Sequence, residues 1–200
     1  MILKVIFTAI ASLFFLFFFW RKLREDYTNN QIFNTGFYIL FGIFLFSVLA
    51  DNFAPLWTFW LSLSGSLFGL FIGISRFRLR IFEAVEAWVL GLLGITMSFY
   101  VYNWVKSFSL VDFAPVVVLF LFIFLYFFMD SKYKQFTWYR SGRIGFTGLV
   151  TLGSFFLLRS LVALFYPNML FFVGKSEPIL SGIVSFTAFL ILFNLSRREL

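Results

Sequence analysis

The stretch GFTGLVTLGSFFLLRSLVALF, from Gly145 to Phe165, contains a single charged residue, Arg159. A helix needs about 20 mostly apolar residues to cross the roughly 30 Å hydrocarbon core of a bilayer, and this stretch is long enough. A charge inside such a segment costs about 2.5–3.5 kcal/mol on insertion scales, so it usually faces the bundle interior and has a partner. The stretch therefore predicts a membrane-spanning helix with one candidate functional position.

The composition of the whole chain agrees with this prediction. The 200 residues are 62% hydrophobic and 12% charged, with a mean hydropathy of +0.95. Soluble domains average about 25% charged residues, so the chain falls in the membrane class. Its net charge of +7 comes from short basic clusters between apolar runs, a pattern typical of membrane-flanking loops. We therefore expect no nucleic-acid partner.

Apolar segments near the length of a membrane span occur seven times. The predicted fold is an all-α polytopic membrane helix bundle of seven transmembrane helices, with residues 1–200 forming one transmembrane domain. The first segment lacks a small-residue cleavage site before Arg21, so we interpret it as a retained helix rather than a signal peptide. The predicted spans are Ile2–Trp20, Gln31–Ala50, Leu56–Ser75, Ile81–Tyr102, Pro115–Met129, Ile144–Phe165 and Ile179–Leu195.

The distribution of Lys and Arg predicts the orientation. Twelve basic residues fall in alternate loops and the C-terminus, against three on the other side, including Lys4. The positive-inside rule places the twelve in the cytoplasm, which puts the N-terminus outside and the C-terminus in the cytoplasm. The twelve are Arg21, Lys22, Arg24, Arg76, Arg78, Arg80, Lys132, Lys134, Arg140, Arg143, Arg197 and Arg198.

Residue types that are absent narrow the chemistry. The chain contains no His and no Cys, which excludes imidazole ligands, thiolate ligands and His-based proton transfer. We predict no metal site and no cofactor, and the sequence identifies no catalytic residue. Aromatic residues near the predicted span ends, such as Trp57 and Trp60, are expected to anchor the helices at headgroup level.

Arg159 has two interpretations. It lies about 9 Å below the predicted outer boundary at Phe165, so its side chain could extend to the outer interface. Alternatively, its guanidinium lines a cavity in the outer half of the bundle and binds a phospholipid phosphate by a bidentate pair. Asp51 and Asp112, in predicted outer loops, are the candidate protein partners.

Small residues in the third span form a second candidate site. Gly65 and Gly69 recur on one helix face, and Ser64 and Ser66 flank Gly65. These four residues have two interpretations: they pack tightly against another helix, or they line a substrate channel. Glu83 and Glu86 begin the fourth span, where we expect them to pair with the preceding arginines rather than to act in catalysis.

With these positions identified, the chain resembles the prolipoprotein diacylglyceryl transferases. Ser62–Gly69 is similar to the family's His-Gly-Gly-Leu-x-Gly helix, and Phe155–Arg159 is similar to its Tyr-Gly-x-x-Arg helix. Gly91–Gly94 leads into the place of its Gly-Arg-x-Gly-Asn motif. The order of charged features along the chain is also similar to that of the family, with basic loops at Arg21–Arg24 and Arg76–Arg80 and then Glu86.

The resemblance implies a seven-span enzyme of the bacterial cytoplasmic (inner) membrane. Such an enzyme transfers diacylglyceryl from phosphatidylglycerol to the cysteine of a lipoprotein precursor. The resemblance also places Arg159 at the position of a family arginine that is thought to contact the lipid headgroup. The family's histidine falls on Ser64, however, and an arginine of its Gly-Arg-x-Gly-Asn motif falls near Thr96. The alternative is therefore a non-catalytic protein of the same fold that binds phospholipid or a lipoprotein partner.

Overall fold

The computed structural model describes residues 2–133, 145–169 and 171–197. Within them the chain is an all-α bundle, and seven helices are long and apolar enough to cross a membrane. The prediction of seven spans is confirmed, and the orientation across the membrane stays a prediction. The helices are α1 (Ile2–Leu23), α2 (Asn29–Phe53), α3 (Thr58–Phe77), α4 (Ile81–Ser107), α5 (Leu110–Lys132), α6 (Phe146–Phe165) and α7 (Glu177–Arg197).

Several helices extend beyond the apolar segments that predicted them. Helix α5 begins at Leu110 rather than Pro115, because the Ser109 hydroxyl accepts a hydrogen bond from the Val111 N–H and caps the helix start. Helix α7 begins at Glu177 rather than Ile179. The predicted start of the sixth span and part of the basic loops lie outside the described residues, namely Ile144, Lys134, Arg140, Arg143 and Arg198.

Helices α2 and α3 form a closely packed hairpin. A β-carbon added to Gly65 would lie 2.3 Å from the carbonyl oxygen of Gly42, and one added to Gly69 would lie 2.3 Å from that of Tyr38. Only glycine allows the two backbones to approach this closely. The hairpin therefore behaves as one structural unit.

Helix α4 lies at the centre of the bundle and is mostly buried. It packs on α1, α5 and α6, with the Phe15 ring of α1 against Gly91 of α4. Large apolar side chains such as Phe37, Phe53 and Phe186 are exposed on the outside of the bundle. An exposed apolar exterior of this extent is what a lipid environment requires.

The end of the bundle that carries the basic loops, here called the basic face, has ordered polar contacts. The Tyr27 hydroxyl donates to Glu83 at 2.6 Å and accepts a hydrogen bond from the Arg80 N–H at 2.9 Å. Burial and the bond to Glu83 raise the pKa of the Tyr27 hydroxyl. The contact ties the α1–α2 loop to the α3–α4 loop.

Candidate functional site

The end of the bundle opposite the basic face contains a buried ion pair between α6 and α7. The Arg159 Nε donates to Glu177 Oε1 at 2.5 Å, and Arg159 Nη2 donates to the carbonyl of Phe171. Arg159 is 5% exposed and Glu177 is fully buried. The two charges therefore neutralise each other inside the protein rather than at its surface.

Glu177 has further donors around its carboxylate. The indole N–H of Trp60 on α3 donates to Oε2 at 2.9 Å, the Val173 N–H donates to Oε2 at 3.1 Å, and the Ser181 hydroxyl donates to Oε1 at 2.7 Å. Because a buried charge is costly unless it is paired and hydrogen-bonded, this donor set explains how Glu177 is tolerated at this depth. The carboxylate thus joins α3, α6 and α7.

Aromatic rings enclose the guanidinium of Arg159. Its Cζ lies 3.7 Å from the ring centroid of Phe59 and 4.6 Å from that of Phe172. These cation–π contacts hold the planar group between α3 and the segment before α7. We call Arg159, Glu177, Trp60, Phe59 and Phe172 the ion-pair cluster.

The prediction that Asp51 or Asp112 would pair with Arg159 is wrong. Asp51 is exposed, and Asp112 instead accepts a hydrogen bond from the Ser107 hydroxyl at 2.5 Å. Glu177 was missed because it precedes the seventh apolar segment and therefore reads as a loop residue. Arg159 is also too buried to reach the interface as a surface-directed side chain, and its role in headgroup binding stays a prediction.

A cavity of about 130 Å³ lies beside the ion-pair cluster, between the α2–α3 hairpin, α4 and α6. It is partly open, and no charged side chain lines it among the described residues. Phe59, Phe156 and Phe171 belong both to its wall and to the surroundings of Arg159. From there it extends to Thr151, about 12 Å along α6 from Arg159 at 1.5 Å per residue.

Most of the cavity wall is hydrocarbon, with a few hydroxyl groups. The Ser47 and Ser62 hydroxyls bond to each other at 2.7 Å across the α2–α3 hairpin, and Thr96 donates to the Leu92 carbonyl at 2.8 Å. A dry engineered cavity of about 150 Å³ binds benzene, so this volume suits part of an apolar chain. The cavity can take a hydrocarbon without exposing an unpaired charge to it.

The four small residues predicted on α3 occupy different environments. Gly65 and Gly69 lie in the contact with α2, and Ser66 is buried, where its hydroxyl donates to the Leu63 carbonyl and accepts from the Trp88 indole at 3.2 Å. Ser64 is exposed on the outside and donates to the carbonyl of Trp60. None of the four lines the cavity, which α3 instead meets with Phe59, Ser62 and Leu63.

A second charged cluster lies near the basic face. Lys22 Nζ lies 2.5 Å from Asp130 Oδ1 and 3.4 Å from Glu86 Oε2, and Glu86 Oε1 accepts the Thr147 N–H at 3.1 Å. Glu86 therefore does not pair with the preceding arginines as expected, although Glu83 does, at 3.0 Å from Arg80. Because Glu86 binds the first turn of α6, the cluster joins α1, α4, α5 and α6.

Lys22→Met is expected to lower the free energy of unfolding by about 1–3 kcal/mol, because Asp130 and Glu86 then face each other without a cation. Thermal unfolding in detergent, followed by circular dichroism, measures the effect. Lys4→Met is the matched control, since Lys4 is exposed near the other end of the same helix. Equal stability of the two variants would contradict a structural role for the cluster.

The described residues contain no group of three or more His, Cys, Asp or Glu side chains that could hold a metal ion. In the part of the chain that the structure describes, oppositely charged side chains meet in the two mixed clusters above and in the Arg80–Glu83 pair. No protein-family model, no curated protein and no solved structure matches this chain. A functional proposal therefore depends on the geometry of these residues.

Proposed function

We propose that this protein binds one membrane lipid, with part of an acyl chain in the cavity between α3, α4 and α6. The observation that carries the proposal is the partly open, uncharged cavity that begins at the ion-pair cluster and extends into the bundle. Apolar pockets with a few convergent polar groups are the usual form of a ligand site. The lining residues of this cavity on α4 run from Val89 to Phe99, about 15 Å at 1.5 Å per residue, which is long enough for part of an acyl chain.

The headgroup in this proposal lies at the face opposite the basic loops. The resemblance implies a phosphatidylglycerol-like lipid, and Lys175, exposed in the turn before α7, offers a cation to its phosphate. Arg159 is bonded to Glu177 and Phe171, so direct contact with a phosphate requires it to exchange a partner. Its contribution in the resting state is to hold the walls of the cavity together.

Binding without turnover is the function we favour over diacylglyceryl transfer. Nucleophilic catalysis needs a base within hydrogen-bond reach of the nucleophile. The chain has no His, and the described cavity wall has no ionisable side chain. Transfer to a lipoprotein cysteine remains the alternative, and a diacylglyceryl mass shift on a lipobox peptide, formed by the purified protein with phosphatidylglycerol, would favour it.

Thr96→Leu fills the cavity and tests the proposal. The larger side chain is expected to exclude about two methylene groups of the lipid chain from the cavity. At roughly 0.8 kcal/mol for each methylene group, the affinity for the lipid falls about tenfold. Native mass spectrometry of the detergent-purified protein with dioleoyl phosphatidylglycerol measures the fraction that carries one lipid. Thr187→Leu is the control, because Thr187 is exposed on α7. Its hydroxyl donates to the Ile183 carbonyl at 2.8 Å, as the Thr96 hydroxyl donates to the Leu92 carbonyl.

We expect Thr187→Leu to keep the wild-type fraction of bound lipid. Equal retention by both variants would mean that lipid binds on the outside of the bundle and would contradict the cavity as the site. A wild-type protein that retains no lipid would contradict the function itself.

A further inference from the structure

The α2–α3 hairpin contacts the rest of the bundle unevenly. The backbone of α3 lies close to α2 along its length and to α4 at few positions, and among the described residues it has at most a marginal backbone contact with α6 or α7. The described bonds and ring contacts from α3 to α6 and α7 are made by two side chains, Phe59 and Trp60. A seam therefore runs between α3 and α6, with the cavity directly behind it.

The contacts across this seam gather at the outer end of the cavity. The Trp60 indole donates to Glu177, and the Phe59 ring covers the Arg159 guanidinium. Both rings also lie against Phe156, with centroids 5.7 Å away for Trp60 and 6.2 Å away for Phe59. Phe59 lines the cavity, Trp60 packs edge-on against Phe59 with ring centroids 5.6 Å apart, and both side chains are only partly buried.

We propose that the seam between α3 and α6 is the lateral portal through which a lipid chain enters the cavity. Trp60 is its latch, the side chain whose hydrogen bond to Glu177 holds the portal closed. This inference rests on the proposed function and adds the route and the residue that controls it. The α2–α3 hairpin can move as a unit because Gly65 and Gly69 keep it tightly packed internally. Opening breaks the Trp60–Glu177 bond, and Glu177 keeps Arg159, Ser181 and the Val173 N–H as donors.

The occupant of the portal is a lipid chain from the leaflet on the Arg159 side. The seam is closed by aromatic rings and one indole hydrogen bond, and the cavity wall behind it carries no charge. A hydrocarbon chain can pass between such groups without desolvating an ion. The headgroup stays at the interface while the chain passes.

Trp60→Phe tests the latch, because it removes the indole N–H and keeps an aromatic ring. Protein loaded with dioleoyl phosphatidylglycerol is mixed with an excess of the deuterated lipid, and native mass spectrometry follows the replacement with time. Losing a hydrogen bond to a charged group is expected to accelerate exchange about tenfold. The equilibrium fraction of bound lipid should change less than about twofold, since the bond is lost in both the loaded and the empty protein.

Two matched variants separate a latch from general loosening. Trp20→Phe removes the same kind of bond near the basic face, where the Trp20 indole N–H donates to Asn29 Oδ1 at 2.9 Å. Ser181→Ala removes a donor from Glu177 itself, but within α7 and not across the seam. We expect both to exchange lipid at the wild-type rate.

An unchanged rate for Trp60→Phe, or an equal acceleration in Ser181→Ala, would overturn the portal. Those outcomes leave lipid retention intact and so differ from a failure of the proposed function, in which the wild-type protein carries no lipid at the start. Unfolding curves for Trp60→Phe identify a variant that has lost its fold. If it has, Trp60→Tyr, which also lacks the indole N–H, takes its place with the same expected result.

Discussion

Arg159→Ala is expected to lower the free energy of unfolding by about 3–5 kcal/mol, the usual cost of removing one partner from a buried ion pair. Glu177 is fully buried, and its remaining donors are the neutral groups of Trp60, Ser181 and the Val173 N–H. Those groups keep its hydrogen bonds but cannot balance its charge. Chemical unfolding in detergent, followed by circular dichroism, measures the loss.

A double variant separates the charge from the packing. Arg159→Met with Glu177→Gln removes both charges, leaves the Gln oxygen to accept from the Trp60 indole, and lets the Gln amide nitrogen donate to the Ser181 hydroxyl. Since neutral replacements of a buried ion pair are often tolerated, the double variant should recover most of the lost stability. The same Arg→Ala change at Arg80, whose side chain is exposed where it pairs with Glu83, should change the free energy of unfolding far less than Arg159→Ala does.

Two results would contradict this account of the ion pair. One is a single variant as stable as Arg80→Ala, which would mean that Glu177 finds another cation or becomes neutral at little cost. The other is a double variant no more stable than Arg159→Ala. That result would place the value of Arg159 in its contacts with the rings of Phe59 and Phe172 rather than in its charge.

Gly65→Ala is expected to destabilise the protein by about 1–3 kcal/mol, because the added methyl group overpacks a closely fitted contact. The added carbon would lie 2.3 Å from the carbonyl oxygen of Gly42, and backbone atoms cannot rotate away as a side chain would. Helices α2 and α3 must therefore separate. Thermal unfolding in detergent measures the loss.

Gly182→Ala on α7 is the control, and its effect should have the opposite sign. The nearest atom to the added carbon is the Ser160 hydroxyl oxygen at 3.6 Å, an ordinary contact distance. Alanine favours a helix over glycine by up to about 1 kcal/mol, so this variant should be as stable as wild type or more stable. Equal losses in both variants would mean that the α2–α3 contact is looser than its geometry implies.

The helices and the membrane class of the protein can be predicted from the sequence alone. Hydropathy and segment length are local properties, and a segment of about 20 apolar residues must satisfy its backbone hydrogen bonds internally as a helix. The seven helices follow from this. The four-residue spacing of Gly65 and Gly69 is also visible in the sequence, and it predicts the close helix contact that these residues make. Arg159 could be singled out for the same reason, since one charge in an apolar run is visible without knowing its neighbours.

The contacts that those residues make are visible only in the folded bundle. The segment after α6 folds back so that Glu177 lies beside Arg159, and the packing of α1, α4 and α5 brings Lys22, Glu86 and Asp130 together. The cavity likewise depends on tertiary structure, because residues of α2, α3, α4 and α6 together form its wall. A hydropathy pattern records how each residue partitions between water and lipid, whereas an ion pair or a cavity depends on which faces of distant helices meet. That choice is made by side-chain packing across the whole bundle, so Glu177 and Trp60 become recognisable as site residues only in three dimensions.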